Sequence, residues 1–122
     1  DILQDFDKSQ IAFVSTHGTA TAFNDEMESI AIDRMDLNDK PVNAFKGYYG
    51  HTLGAAGVLE AIIAKHSIMD NTVIRTLGFE NLGTSKQINP TSENLATDKQ
   101  YFVKLISGFG GSNAAALFKK EV

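Results

Sequence analysis

Two histidines stand at equivalent places in the chain. His17 follows a short apolar run, 11–15, and precedes Gly18-Thr19-Ala20-Thr21. His51 follows a second apolar run, 42–45, by way of a glycine-containing loop, and precedes a long stretch of small residues. An imidazole works as acid or base near neutral pH, or donates a hydrogen bond while neutral. Two neutral imidazoles aimed at one oxygen would stabilise negative charge developing there. A helix starting beside His51 would add positive potential. The plainer reading, in which each histidine merely satisfies a loop or a cap, stays open for either ring taken alone. Lys46 and Glu60 are a candidate pair. If Glu60 is buried it must be paired or hydrogen-bonded; otherwise both face water. Asp25 and Glu28 would sit at the start of a helix, where acidic charge is favourable. His66 reads as a peripheral helix residue.

Other chemistries find little support. His17, His51 and a carboxylate could in principle ligate zinc, but no closely spaced ligand motif accompanies them. The run 108–112 lacks the spacing and the Lys-Ser/Thr ending of a phosphate-binding loop. Glycines 47, 50 and 54 do not form a dinucleotide fingerprint. Cysteine is absent, so the chain holds neither a disulfide nor a thiol nucleophile. That agrees with a reducing compartment such as the cytoplasm.

The elements that must position these residues follow from periodicity. Residues 1–9 carry Ile2, Leu3 and Phe6 at helical spacing and read as the end of a helix. Strands are expected at 11–15, 42–45, 72–76, 101–107 and 113–118, the last two as a hairpin around Gly108 to Gly111. Asn24-Asp25 is expected to cap a helix running to about residue 36. Residues 46–50 read as a loop. Residues 52–69 read as a helix whose Gly54, Ala55, Ala56, Gly57, Ala61 and Ala64 imply close packing, with Leu59, Ile62 and Ile63 thickening its buried face. Asn89-Pro90 reads as a turn. The order β-α-β-α-loops-β-β argues for a layered α/β domain with a mixed sheet. In such sheets sites gather at the carboxyl ends of strands. His17, Lys46 with His51, and the 108–111 turn are all strand-end features.

At 122 residues, with 43% hydrophobic and 21% charged, the chain can bury a core as one domain, 1–122. Its formal net charge of -4, from 11 basic and 15 acidic residues, opposes nonspecific nucleic-acid binding. The longest helical stretch contains Glu60, Lys65 and His66 and is too polar to span a membrane. The first five residues, Asp1 to Asp5, lack the basic-then-apolar pattern of a signal peptide. With no initiator methionine, the chain is expected to be a piece of something longer.

Three ordered blocks carry a family resemblance. His17-Gly18-Thr19-Ala20-Thr21 with Asn24-Asp25 and Glu28 resembles the first block of the C-terminal half of beta-ketoacyl-acyl-carrier-protein synthases. Lys46, Gly50-His51-Thr52-Leu53-Gly54-Ala55-Ala56-Gly57 and Glu60 resemble the second. Gly108-Phe109-Gly110-Gly111-Ser112-Asn113-Ala114 resembles the third. The resemblance implies a thiolase-like fold in which two similar halves stack as α-β-α-β-α. It implies decarboxylative condensation of an acyl thioester with malonyl-carrier protein, in fatty-acid or polyketide-like synthesis. It makes His17 and His51 the active-site histidines, Lys46 the active-site lysine, and Glu60 the lysine's partner. Thr19 and Thr21 would meet the pantetheine arm. Phe109, Gly110 and Gly111 would form the loop beside a nucleophile absent from this chain. Asp25, Glu28 and Glu60 would contribute to a structural monovalent-cation site. No cofactor is implied. The implied partners are acyl carrier protein with its phosphopantetheine thioesters, the N-terminal half, and a second subunit in a homodimer or heterodimer.

The chain also departs from that family. Ser107 stands where a gating phenylalanine is common, and Leu105-Ile106 where Asn-Ser is familiar. Ala44-Phe45 precedes the lysine in place of Ser-Thr or Thr-Thr, and Ser15 replaces a commoner asparagine or alanine. Two relatives of the leading reading remain: a noncatalytic chain-length-factor-like partner subunit, and a thiolase acting on coenzyme A thioesters. The second would normally bring a cysteine near the final glycine loop. Alone, the piece is expected to be inactive and to expose the apolar surface that meets the other half. An acidic carrier protein calls for a basic docking surface, and this half offers no obvious one.

Overall fold

A computed structural model describes residues 2–121, so Asp1 and Val122 lie outside it. Among the described residues, seven strands and three α-helices appear in the order β1 (Ile11–Ser15), α1 (Ala22–Arg34), β2 (Pro41–Asn43), α2 (Lys46–Tyr49), α3 (Ala56–Met69), β3 (Thr72–Val73), β4 (Asn89–Pro90), β5 (Leu95–Ala96), β6 (Tyr101–Ser107) and β7 (Asn113–Lys119). The main sheet has the order β4-β2-β1-β6-β7. β1 pairs in parallel with β2 and β6, and β2 with β4. β7 runs antiparallel to β6 as the hairpin expected from the sequence. β3 and β5 form a separate two-stranded antiparallel ribbon.

β1 is buried along its whole length, as its uninterrupted apolar run requires of a central parallel strand. Alternation along β1 and β6 divides the core between two faces. On one face Val14, Val42, Val103 and Leu105 pack with Ile32 of α1 and with Leu37. On the other, Phe13, Phe45 and Phe102 pack with Ala64 and Ile68 of α3 and with Val73. Phe13 and Phe102 stack with ring centroids 5.1 Å apart. The layers are therefore helix, mixed sheet, helix, with α1 and α3 on opposite faces.

Several local expectations change. Residues 2–5 form a turn that leads, through Phe6 and Asp7, into a 3-10 turn at Lys8–Gln10 capped by the Asp7 carboxylate, in place of a helix end. α1 begins at Ala22 with Thr21 at its cap position, and Asn24 lies inside its first turn. Residues 46–49 form a one-turn helix, ended by Gly50 at φ 87°. The strand expected at 72–76 shortens to Thr72–Val73. Asn89–Pro90 is the edge strand β4, a place where a proline's missing N–H costs no ladder bond. The small-residue stretch opens as a 3-10 turn at Leu53–Ala55 before α3 begins.

α3 buries Ala56, Glu60, Ala64, Ser67 and Ile68, a narrower face than expected. A side chain at Gly57 would sit 2.7 Å from Ile106 Cδ1, so the close approach to β6 is real there, whereas Gly54 faces open space. Ile62 is 48% exposed, Val58 68% and Leu53 69%, and Phe109 in the hairpin turn is 96% exposed. The alanines 114–116 of β7 are exposed as well. The chain thus displays the apolar surface the sequence reading expected. Among the described residues no helix is long and apolar enough to cross a membrane.

Candidate active site

The parallel strands β2, β1 and β6 end side by side, and the candidate residues lie just beyond those ends. His17 stands two residues after β1 and is 5% exposed. Its backbone is fixed by Glu28 of α1. Glu28 Oε1 accepts from the His17 amide at 2.6 Å, and Oε2 accepts from the Gly18 amide at 2.9 Å and from Asn24 Nδ2 at 2.9 Å. Burial pushes the Glu28 carboxyl above its usual range, against the pull of these donors. Gly18 adopts φ +54°, and a Cβ there would lie 2.4 Å from Ala44 Cβ. No side chain fits, which explains a glycine directly after the histidine.

The His17 ring is positioned from the next strand. Lys46, at the start of α2, places Nζ 3.2 Å from His17 Nδ1 and also donates to the His17 carbonyl. An ammonium can only donate, so Nδ1 must accept, and the neutral ring carries its proton on Nε2. Burial, then the charge of Lys46, lower the His17 pKa to about 4. The ring is therefore neutral through the physiological range.

His51 adopts the same tautomer by another route. Its Nδ1 accepts from the Leu53 amide at 2.9 Å, which again leaves the proton on Nε2. Gly50 at φ +87° and Leu53 at φ 53° bend the backbone into this arrangement. The His17 and His51 rings meet edge to face, with centroids 5.2 Å apart. Each ring then carries an Nε2–H donor.

Glu60 of α3 is completely buried, and each carboxylate oxygen faces an ammonium. Oε2 lies 2.7 Å from Lys46 Nζ, and Oε1 lies 2.8 Å from Lys104 Nζ on β6. Lys104 also donates to the Thr16 carbonyl at 2.9 Å. Burial lowers the Lys104 pKa, opposed by Glu60. Lys104 is absent from the sequence-derived set of candidates. The signal was a single charge inside the apolar run Tyr101-Phe102-Val103-Lys104-Leu105-Ile106, a residue that must be paired if the strand is central.

The remaining candidates are more dispersed. The Thr19 and Thr21 hydroxyls lie 2.8 Å apart. Thr19, Asp25, Glu28 and Lys46 line a half-open cavity of about 600 Å³ that is also lined by residues 76–84. Phe109, Gly110 and Gly111 form the exposed β6–β7 turn at the same end of the sheet. His66 is exposed on α3, as expected of a peripheral residue. The residues expected to hold a monovalent cation do not fit one. Glu28 is occupied by N–H donors and Glu60 by two ammoniums. Among the described residues no group of three or more His, Cys, Asp or Glu side chains is arranged for a metal.

The family description "Beta-ketoacyl synthase, C-terminal domain" matches residues 3–80. A Schizosaccharomyces pombe protein named as a mitochondrial 3-oxoacyl-[acyl-carrier-protein] synthase is 36% identical over 121 residues, covering 92% of this chain and 28% of its own length. The crystal structure of a beta-ketoacyl synthase from Burkholderia phymatum superposes with a TM-score of 0.89 at 32% identity, covering 98% of this chain and 30% of that one. A type II polyketide ketosynthase, solved with its acyl carrier protein and bound to a hexaketide, gives a TM-score of 0.88 at 25% identity, covering 98% and 31%. The chain spans less than a third of the length of these relatives.

Proposed function

The chain belongs to the beta-ketoacyl synthase family as its C-terminal domain, and on that premise we propose that it supplies the decarboxylation half of a 3-oxoacyl-[acyl-carrier-protein] synthase site. One observation carries the reading. His17 and His51 each accept at Nδ1 from a fixed donor, so each ring carries an Nε2–H free of that contact. When a malonyl thioester loses carbon dioxide, the electron pair of the broken C–C bond moves onto the thioester oxygen. Two preorganised donors at that oxygen stabilise the enolate as it forms. The carbanion carbon then attacks an acyl thioester, and the thiol that held the acyl group leaves.

That thiol lies outside this chain, which has no cysteine. Lys46 fixes the His17 tautomer and adds positive potential, and Glu60 holds Lys46 in place. The Thr19 and Thr21 hydroxyls suit the amides of a pantetheine arm delivered by an acyl carrier protein. The exposed face of Leu53, Val58, Ile62 and Phe109 suits the remainder of the synthase, the whole forming a dimer. A reducing compartment such as the cytoplasm suits a thiol nucleophile.

The test is carbon dioxide release from malonyl-carrier protein by the whole synthase. Replacing His17 or His51 by alanine is expected to slow it by roughly 10²–10³-fold each, the usual cost of one oxyanion donor. Unchanged release in both variants would remove the reading.

A further inference from the structure

The mismatch between the acidic residues and a bound cation has a positive cause. Glu60 forks two ammoniums to two consecutive carbonyls. Its Oε1 holds Lys104, which donates to the Thr16 carbonyl. Its Oε2 holds Lys46, which donates to the His17 carbonyl. The backbone leading into the catalytic histidine is thereby clamped from both sides to one buried carboxylate. The Lys104 side chain is 5% exposed and the Glu60 side chain 0%, so water does not share this work.

A carboxylate oxygen and a main-chain carbonyl at 2.8–2.9 Å are the ligand types a hard monovalent metal ion would use. Ser15 is the register partner of Lys104 on β1, and its Oγ is buried without a hydrogen-bond partner, outside the ammonium's present contacts. We propose that Lys104 is a tethered cation: its ammonium occupies an oxygen-lined position and makes the His17 clamp independent of any free monovalent metal ion. Lys104 is a positioning residue, acting on His17 through Glu60 and the Thr16 carbonyl.

Because the readout is stability, the proposal stands apart from whether the histidine pair promotes decarboxylation. The thermal midpoint of the whole protein containing this chain is measured in chlorides of sodium, potassium, ammonium and tetramethylammonium at equal ionic strength. The unaltered protein is expected to give one midpoint in all four salts. Lys104→Ser exchanges the ammonium for a space lined by oxygens. Its midpoint is expected to fall by roughly 5 °C or more in tetramethylammonium, which is too large to enter, and to recover at least half of that loss in potassium or ammonium. Lys104→Met, which fills the space with an apolar chain, is expected to fall and not recover. A loss in Lys104→Ser that is identical in every salt overturns the proposal, because a merely structural lysine would behave that way. So does any dependence of the unaltered protein on a small cation, and that arm decides the matter even if neither variant folds.

Discussion

The two histidines end in the same tautomer and are held by opposite means. His17 is buried, and its ring answers to residues far away in sequence: Lys46 on α2, Glu60 on α3 and Lys104 on β6. His51 is exposed, and its ring answers to an amide two residues on, within one bent stretch of backbone. A tautomer can thus be set by a tertiary network of charges or by a local turn. The first is costly to disturb because its charges are out of water, while the second depends on backbone shape alone.

Removing Glu60 presses hardest on this contrast. Glu60→Ala leaves two ammoniums buried close to each other with no counter-charge. The expected loss is about 3–5 kcal/mol of stability, read from denaturant unfolding. Imidazole nitrogen chemical shifts should show the His17 ring released and the His51 ring unchanged. If both rings responded alike, the separation of the two arms would be wrong.

Gly18→Ala comes next. It places a Cβ against Ala44 and forces a left-handed φ on a residue with a side chain. Overpacking and backbone strain together are expected to cost about 1–3 kcal/mol. Carbon dioxide release should fall with it, since the same backbone carries His17, and the His51 shifts should again stay put.

How legible all this was depends on how local the cause is. β1, α1 and the β6–β7 hairpin announce themselves through their own periodicity, and the two histidines through their place after strands. Asn89-Pro90 read as a turn because its strand character comes from pairing with Pro41-Val42, nearly fifty residues away. The face that α3 buries is narrower than its apolar residues suggest: Ile63 packs against the Ala64 and Ile68 cluster, Leu59 is half-buried, and Ile62 is exposed. Lys46 and Glu60 were legible as a pair. Lys104 was visible only as a charge out of place, and no spacing rule connects it to a helix forty-four residues earlier.

A third way to separate the arms is acid. The His17 pKa of about 4 lies below its ordinary value of 6.5, with burial the main cause, Lys46, Lys104 and His51 acting in the same direction, and Glu60 opposing. Between those values the unfolded chain binds a proton that the folded chain refuses. The His17 contribution to stability is therefore complete above about pH 6.5 and is lost as pH falls towards 4. The His17 ring proton resonances should stay flat from pH 8 to pH 5. A His17 midpoint near 6.5 would mean that its shell of charges is not closed.

The smallest effect is expected where the cause is most local. Leu53 sits at φ 53° and is 69% exposed, so its side chain contributes little burial while its backbone adopts a conformation that favours glycine. Leu53→Gly relieves that strain and adds freedom to the unfolded chain, two terms of about 1 kcal/mol that oppose each other. Stability should change by less than about 1 kcal/mol, and the Leu53 amide still donates to His51 Nδ1 because any residue but proline supplies it. Leu53→Pro removes that donor and, because its ring fixes φ near about −65°, also breaks the turn that carries it. It should shift the His51 nitrogen resonances and slow carbon dioxide release while leaving the His17 resonances unmoved, the mirror image of Glu60→Ala.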